Sequence, residues 1–273
     1  AIDWTKVDFK KASKSETFDM EAVDWNEINQ SKSGAKAYKA IDWENVAITS
    51  GVSAKLDYSK VDFKKFSPDK LENINDLDFA NLGKNYKKLK WDEIDYSLLN
   101  DDSKDAIDWT KVDFKKATKS ENFDMEAVDW DEINQSKSGA KAYKAIDWEN
   151  VSISSDVSAQ LDYSKVDFKK FSPSSLDNIN DLNFETLGKN YQQLKWDEIN
   201  YSELNDDSKD AIDWAQVDLN KAIKSPTFDL DLIDWTELNS SKNATKAYKL
   251  IQDEFLSAPA GGFGLFNNDD LIS

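Results

Sequence analysis

Ile2-Asp3-Trp4-Thr5-Lys6-Val7-Asp8-Phe9-Lys10-Lys11 opens the chain, returns unchanged at Ile107 to Lys116, and begins a third time at Ile212-Asp213-Trp214. Its apolar residues are spaced by two, then three, then two. That five-residue period turns through about 500° on an α-helix, so a long helix would spread these side chains over its whole surface. Read as strand and bend, Ile2 and Trp4 point inward with Asp3 outward, Thr5 and Lys6 turn a corner, and Val7 and Phe9 point inward on the next side. The β-branched and aromatic character of the inward positions fits that reading.

The same grammar recurs at Leu56 to Phe63 and Leu89 to Tyr96, and one residue longer at Phe18 to Trp25. Val7-Asp8-Phe9-Lys10-Lys11, Val61-Asp62-Phe63-Lys64-Lys65 and their copies Val112 to Lys116 and Val166 to Lys170 resemble the pentapeptide-repeat family. The resemblance implies a right-handed quadrilateral β-helix with two inward residues in every five. The phase slips at Ala12-Ser13-Lys14-Ser15 and at Ser31-Lys32-Ser33-Gly34. The expected fold class is therefore mainly β, an irregular β-solenoid or short-strand tandem repeat with short helices.

The alternative is an α-helical repeat of short capped helices, with Asp as the N-cap. Asp24-Trp25-Asn26-Glu27 and Asp234-Trp235-Thr236-Glu237 have capping-box spacing. Ser67-Pro68-Asp69-Lys70-Leu71 and Ser33 to Lys39 read as helical under either scheme.

Self-similarity at a period of about 105 residues is the signature of a repeat architecture. It divides the chain into repeat 1 (1–105), repeat 2 (106–210), a partial repeat 3 (211–251) and a C-terminal cap or tail (252–273). Differences between copies are mostly polar for polar, such as Lys55 against Gln160 and Asp69 against Ser174. Trp4, Trp25, Trp43, Trp91, Tyr58, Phe63 and Tyr86 recur as Trp109, Trp130, Trp148, Trp196, Tyr163, Phe168 and Tyr191. Aromatic residues placed this way are expected to fill the interior rather than form an exposed stripe for sugars.

A formal net charge of -18 argues against binding nucleic acid through its phosphates. The absence of Cys and His removes thiol nucleophiles, disulfides, imidazole bases and nearly all zinc ligation. No apolar run reaches the roughly 18 residues of a membrane span, and no N-terminal signal segment is recognised.

Asn100-Asp101-Asp102-Ser103-Lys104-Asp105 and its copy Asn205 to Asp210 concentrate carboxylates, the donors that hard cations take. Asp101, Asp102, Asp105, Asp206, Asp207 and Asp210 are thus candidate Ca²⁺ ligands, although EF-hand spacing is absent; no cofactor is required and Ca²⁺ is possible. A solvated linker is the competing reading. In the tail, Gly261-Gly262-Phe263-Gly264 resembles the opening of the RTX calcium-binding nonapeptide, with Phe266 where that motif needs Asp. Asp269-Asp270-Leu271-Ile272-Ser273 resembles the uncleaved C-terminal signals of bacterial type I secretion. Asn29-Gln30-Ser31, Asn134-Gln135-Ser136 and Asn243-Ala244-Thr245 fit the glycosylation sequon.

No phosphate loop, nucleophile elbow or dinucleotide fingerprint is present. Copying a catalytic pocket gains nothing, whereas length and avidity benefit from copying. The expected function is noncatalytic: a structural repeat protein of the cell surface or extracellular matrix that self-associates, as fibres or head to tail, or acts as an adhesive spacer. The alternative is an acidic DNA mimic or protein-interaction module that binds a DNA-processing enzyme, the resemblance to pentapeptide repeats again suggesting it.

Overall fold

The computed structural model describes residues 2–255, as two compact units, Ala1–Asp181 and Leu182–Ser273. The readings at 256–273, the nonapeptide-like stretch and the secretion-like ending, lie outside the described residues. Among the described residues there is no β-strand. The chain is a succession of α-helices of four to twelve residues and 3-10 helices of three to five, and its β-pairing is confined to two isolated parallel bridges, Ile48 with Leu71 and Ile153 with Leu176. The mainly β fold, the β-solenoid and its strand-and-bend geometry are overturned, and the repeat of short capped helices fits instead.

Aspartate decides the matter. Asp8 accepts a hydrogen bond from the Lys11 amide, Asp24 from Glu27, Asp78 from Asn81 and Asp129 from Glu132. Each Asp therefore satisfies an amide that the first turn of a helix leaves without a partner, rather than projecting from a strand. Asn takes the same role at Asn73, Asn100, Asn183 and Asn205.

The five-residue period follows from this capping. In a 3-10 turn residues i and i+3 eclipse, so Trp4 and Val7, the first residue and C-cap of the turn Trp4–Lys6, share a face. Val7 is extended, with φ -70° and ψ 135°. Residues two apart in extended chain also share a face, which brings Phe9 to the same side. One turn of helix plus one extended step makes five residues and a single buried face, without a ladder.

Tryptophan closes these turns. The indole N–H donates to the carbonyl five residues upstream in Trp25 to Met20 (3.0 Å), Trp43 to Tyr38 (2.7 Å), Trp91 to Tyr86 (2.8 Å) and Trp109 to Lys104 (3.2 Å). Trp130, Trp148 and Trp196 repeat the arrangement, and the hydroxyls of Tyr96 and Tyr201 do the same to Trp91 and Trp196. A large apolar side chain can thus be buried with its polar atom satisfied. Eight of the ten Trp residues are among the largest fully buried side chains, and Trp4 and Trp235 are half-buried.

Within each unit successive turns lie against one another through bonds that link residues 19 to 31 positions apart. Glu27 illustrates them. Its amide is capped by Asp24 as the capping-box spacing predicts, but its carboxylate accepts from the Trp4 amide at 3.3 Å, 23 residues away, instead of returning to its own cap. Glu132 and Glu237 do likewise for Trp109 (2.9 Å) and Trp214 (3.0 Å). Gly34 and Gly139 allow the close approach of neighbouring helices, since a Cβ at either would lie 2.2 Å from the carbonyl oxygen of Ile28 or Ile133.

Candidate interaction face

Some lysines belong to the capping scheme. In a one-turn helix the residue three after the cap lies beside it, and Lys6 pairs with Asp3 (2.8 Å), Lys60 with Asp57 (2.8 Å), Lys165 with Asp162 (2.7 Å) and Lys111 with Asp108. The Lys6 ammonium, with the Thr5 hydroxyl, holds Asp3 down at about 2. Burial pushes the Asp57 and Asp162 carboxyls up, and hydrogen bonds from Lys60 and Ser59, or Lys165 and Ser164, outweigh it, leaving both below the ordinary range. Other lysines gather on packed helices: Lys10 and Lys11 on Phe9–Ala12 lie against Gly34–Ala40 with Lys36 and Lys39.

A different set of positions carries the uncompensated charge. Within the unit Ala1–Asp181, the Thr49 hydroxyl donates to Glu21 (2.8 Å), and the Ser50 amide donates to Glu72 (3.1 Å). Asn75 then donates to the Leu98 carbonyl (2.9 Å) and accepts from the Asn100 amide (2.8 Å). The next turn follows by the Tyr96–Phe123 ring contact at 5.0 Å, Met125–Ala127 packs on Ser155–Gln160, and the Ile153 backbone bonds to Asp177 at 3.0 Å. Segments 19–21, 49–51, 72–75, 100–102, 124–126, 154–156 and 177–180 therefore lie side by side, and none contains a lysine. Glu21, Glu72, Asp101, Asp102, Glu126, Asp156 and Asp177 are exposed along this stripe, and none is in an ion pair.

The candidate Ca²⁺ ligands fall in helices. Asn100 caps Asp101–Ala106 by accepting from the Ser103 amide, and Asn205 caps Asp206–Asp210 through Ser208. Asp101, Asp102, Asp105, Asp206, Asp207 and Asp210 are all exposed, and consecutive ones point in different directions because a helix turns about 100° per residue. Lys209 pairs with Asp206 at 3.5 Å. Among the described residues no group of three or more acidic side chains is placed to hold a metal ion.

The sequon amides are already engaged: Asn29 donates to the Lys55 carbonyl, Asn134 to Gln160 and Asn243 to Ala215, at 2.9, 2.8 and 2.7 Å. A depression of about 120 Å³ lies by Val217, Asp218, Lys246 and Leu250 in the second unit, well below the roughly 300 Å³ at which small-molecule pockets begin. No described helix is long and apolar enough to cross a membrane.

Sequence reading placed Asp101 and Asp102 on the surface but missed their company. The stripe joins residues whose sequence separations vary from turn to turn, so no single period reveals it. The repeated Asn-Ile-Asn of Asn73 to Asn75 and Asn178 to Asn180 was the one available sign. No protein-family model, curated protein or solved structure matches the chain.

Proposed function

We propose that this chain is a noncatalytic, acidic protein-interaction module that occupies the basic, nucleic-acid-binding surface of a DNA-processing enzyme. The lysine-free stripe carries the reading. Interleaved lysines would neutralise such a surface, but none falls within its segments. A continuous anionic face attracts a basic groove over several ångströms, speeds association and repels nucleic acid itself. The aromatic core serves to hold the stripe in a fixed arrangement.

The test is competition between the chain and duplex DNA for a type II topoisomerase, measured at low and at high salt. Displacement of DNA that weakens with salt, and that is lost in the triple variant Glu72→Gln, Glu126→Gln, Asp177→Asn, supports the reading. Equal displacement by wild type and variant overturns it.

A further inference from the structure

Successive turns of the unit Ala1–Asp181 carry exposed lysines at a corresponding place. Phe9–Ala12 packs on Gly34–Ala40, the Tyr38 hydroxyl accepts from the Asp57 amide at 2.8 Å, and Asn85 donates to the Tyr58 carbonyl at 3.3 Å. The Tyr86 hydroxyl accepts from the Asp108 amide at 2.9 Å, Phe114–Ala117 packs on Gly139–Ala145, and the Tyr143 hydroxyl accepts from the Asp162 amide at 2.7 Å. Lys10, Lys36, Lys64, Lys87, Lys115, Lys141 and Lys169 therefore follow one another from turn to turn as a ridge. Each is exposed, and each has a second lysine one or three residues further on.

Among the described residues none of these seven is in an ion pair, and of the lysines that follow them only Lys11 reaches a carboxylate, Asp8 at 3.7 Å. The nearby aspartates cap their own turns: Asp8 accepts from the Lys11 amide, Asp62 from Lys64 and Asp167 from Lys169, each at 3.3 Å. Each turn thus brings two lysines to the ridge against at most one aspartate.

The ridge and the anionic stripe are made by the same turns. The chain passes from Lys10 to segment 19–21, back to Lys36, on to 49–51, and so alternates as far as Lys169 and 177–180. The two charged surfaces therefore run along different sides of the unit with the same spacing from turn to turn.

We propose that the lysine ridge is a docking surface for a second copy of this chain, whose anionic stripe it receives side by side, turn against turn. Opposite charge and common spacing select this occupant. A free polyanion matches the charge but not the spacing, and it meets a chain of net charge -18, whereas a second copy brings lysines of its own. Beyond a Debye length of about 8 Å at physiological salt the mutual repulsion of two acidic chains is screened, so charges in contact decide the outcome. Exposed pairs are individually weak, and the contact depends on repeating them along the unit. It joins two different surfaces, so each copy can receive one neighbour and be received by another. An associated copy has its anionic stripe covered, but the association does not depend on that stripe binding an enzyme.

The test is sedimentation velocity of the full chain over a wide concentration range, at about 0.15 M and about 1 M salt. Wild type is expected to form multiples at the lower salt and to remain monomeric at the higher. The ridge variant Lys36→Gln, Lys64→Gln, Lys115→Gln, Lys141→Gln and the stripe variant Glu72→Gln, Glu126→Gln, Asp177→Asn are each expected to weaken association about tenfold. An equimolar mixture of the two, which retains one intact ridge and one intact stripe, is expected to form a dimer and little beyond it. Circular dichroism confirms that each variant is folded. Net repulsion alone predicts instead that the less acidic stripe variant associates more tightly than wild type, and that result overturns the proposal. So does a ridge variant that associates as wild type does, or a wild type that stays monomeric at its highest soluble concentration, including one that binds added polyphosphate through the same lysines. The ridge variant keeps the stripe, so its displacement of DNA from a topoisomerase reports on the proposed function separately.

Discussion

Ile2-to-Lys11 and Ile107-to-Lys116 are identical in sequence and differ in what lies over them. Both form a 3-10 turn at the tryptophan, Trp4–Lys6 and Trp109–Lys111, and both pair lysine with the cap aspartate. The Trp109 indole donates to Lys104 and the residue is 1% exposed; Trp4 is half-buried. Local sequence thus sets local geometry, while burial, and most of the stabilisation, comes from the neighbouring turn.

The largest expected effect is alkaline. Burial pushes Tyr38, Tyr58, Tyr143, Tyr163 and Tyr191 up to about 12, against 10 in unfolded chain. A folded value above the unfolded one means that this stability is fully present below pH 10 and is lost as pH rises from 10 to 12. Absorbance at the tyrosinate band should therefore rise together with loss of helical dichroism. Titration of these residues near pH 10 without unfolding would show that the covered turns are open to solvent.

Next comes the tryptophan pair itself. Trp109→Ala is expected to cost about 3–5 kcal/mol in urea unfolding, the usual range for emptying a packed aromatic site, and Trp4→Ala about 1 kcal/mol or less. Equal losses would break the distinction between end and interior. Gly139→Ala should cost about 1–3 kcal/mol by forcing Ile133 aside, whereas Gly51→Ala, with only the Thr49 hydroxyl nearby at 3.8 Å, should change stability little.

The smallest effect concerns Glu132, whose carboxyl is pushed up by burial despite the hydrogen bond from Trp109. Its raised value favours the folded state as pH falls through it, opposite to Asp57, Asp108 and Asp162, whose lowered values stabilise above about pH 4 and cease to as pH falls further. Glu132→Gln keeps an oxygen for the Trp109 amide and removes the charge. It should add a few tenths of a kcal/mol at pH 7 after solvent screening, a gain that disappears once the native carboxyl is protonated. A substantial loss at pH 7 would mean that the charge strengthens this contact between turns.

How far the sequence could be read is clearest at Asp24 to Glu27. The capping spacing there was legible, and the cap forms. What the spacing could not show is that Glu27 would turn to Trp4, because the two are 23 residues apart and meet only when one turn lies on the next. The Asp8-Phe9 step misled for a related reason. Apolar residues two apart share a face in a strand, but they also do so across one extended step before a capped turn, and a short run does not distinguish the two. The stripe was harder still, since its members share no common spacing.

The sequence by itself determined the repeat, the aromatic interior, the excess of negative charge and the short caps, because each depends on residue type or on partners within a few positions. Tertiary structure alone decided that the five-residue period is capped helix rather than strand, that lysine-free segments form one face, and that the Glu27 carboxylate accepts from the Trp4 amide. Those outcomes rest on hydrogen bonds and burial between residues some 20 to 30 positions apart, whose pairing exists only once successive turns are packed together.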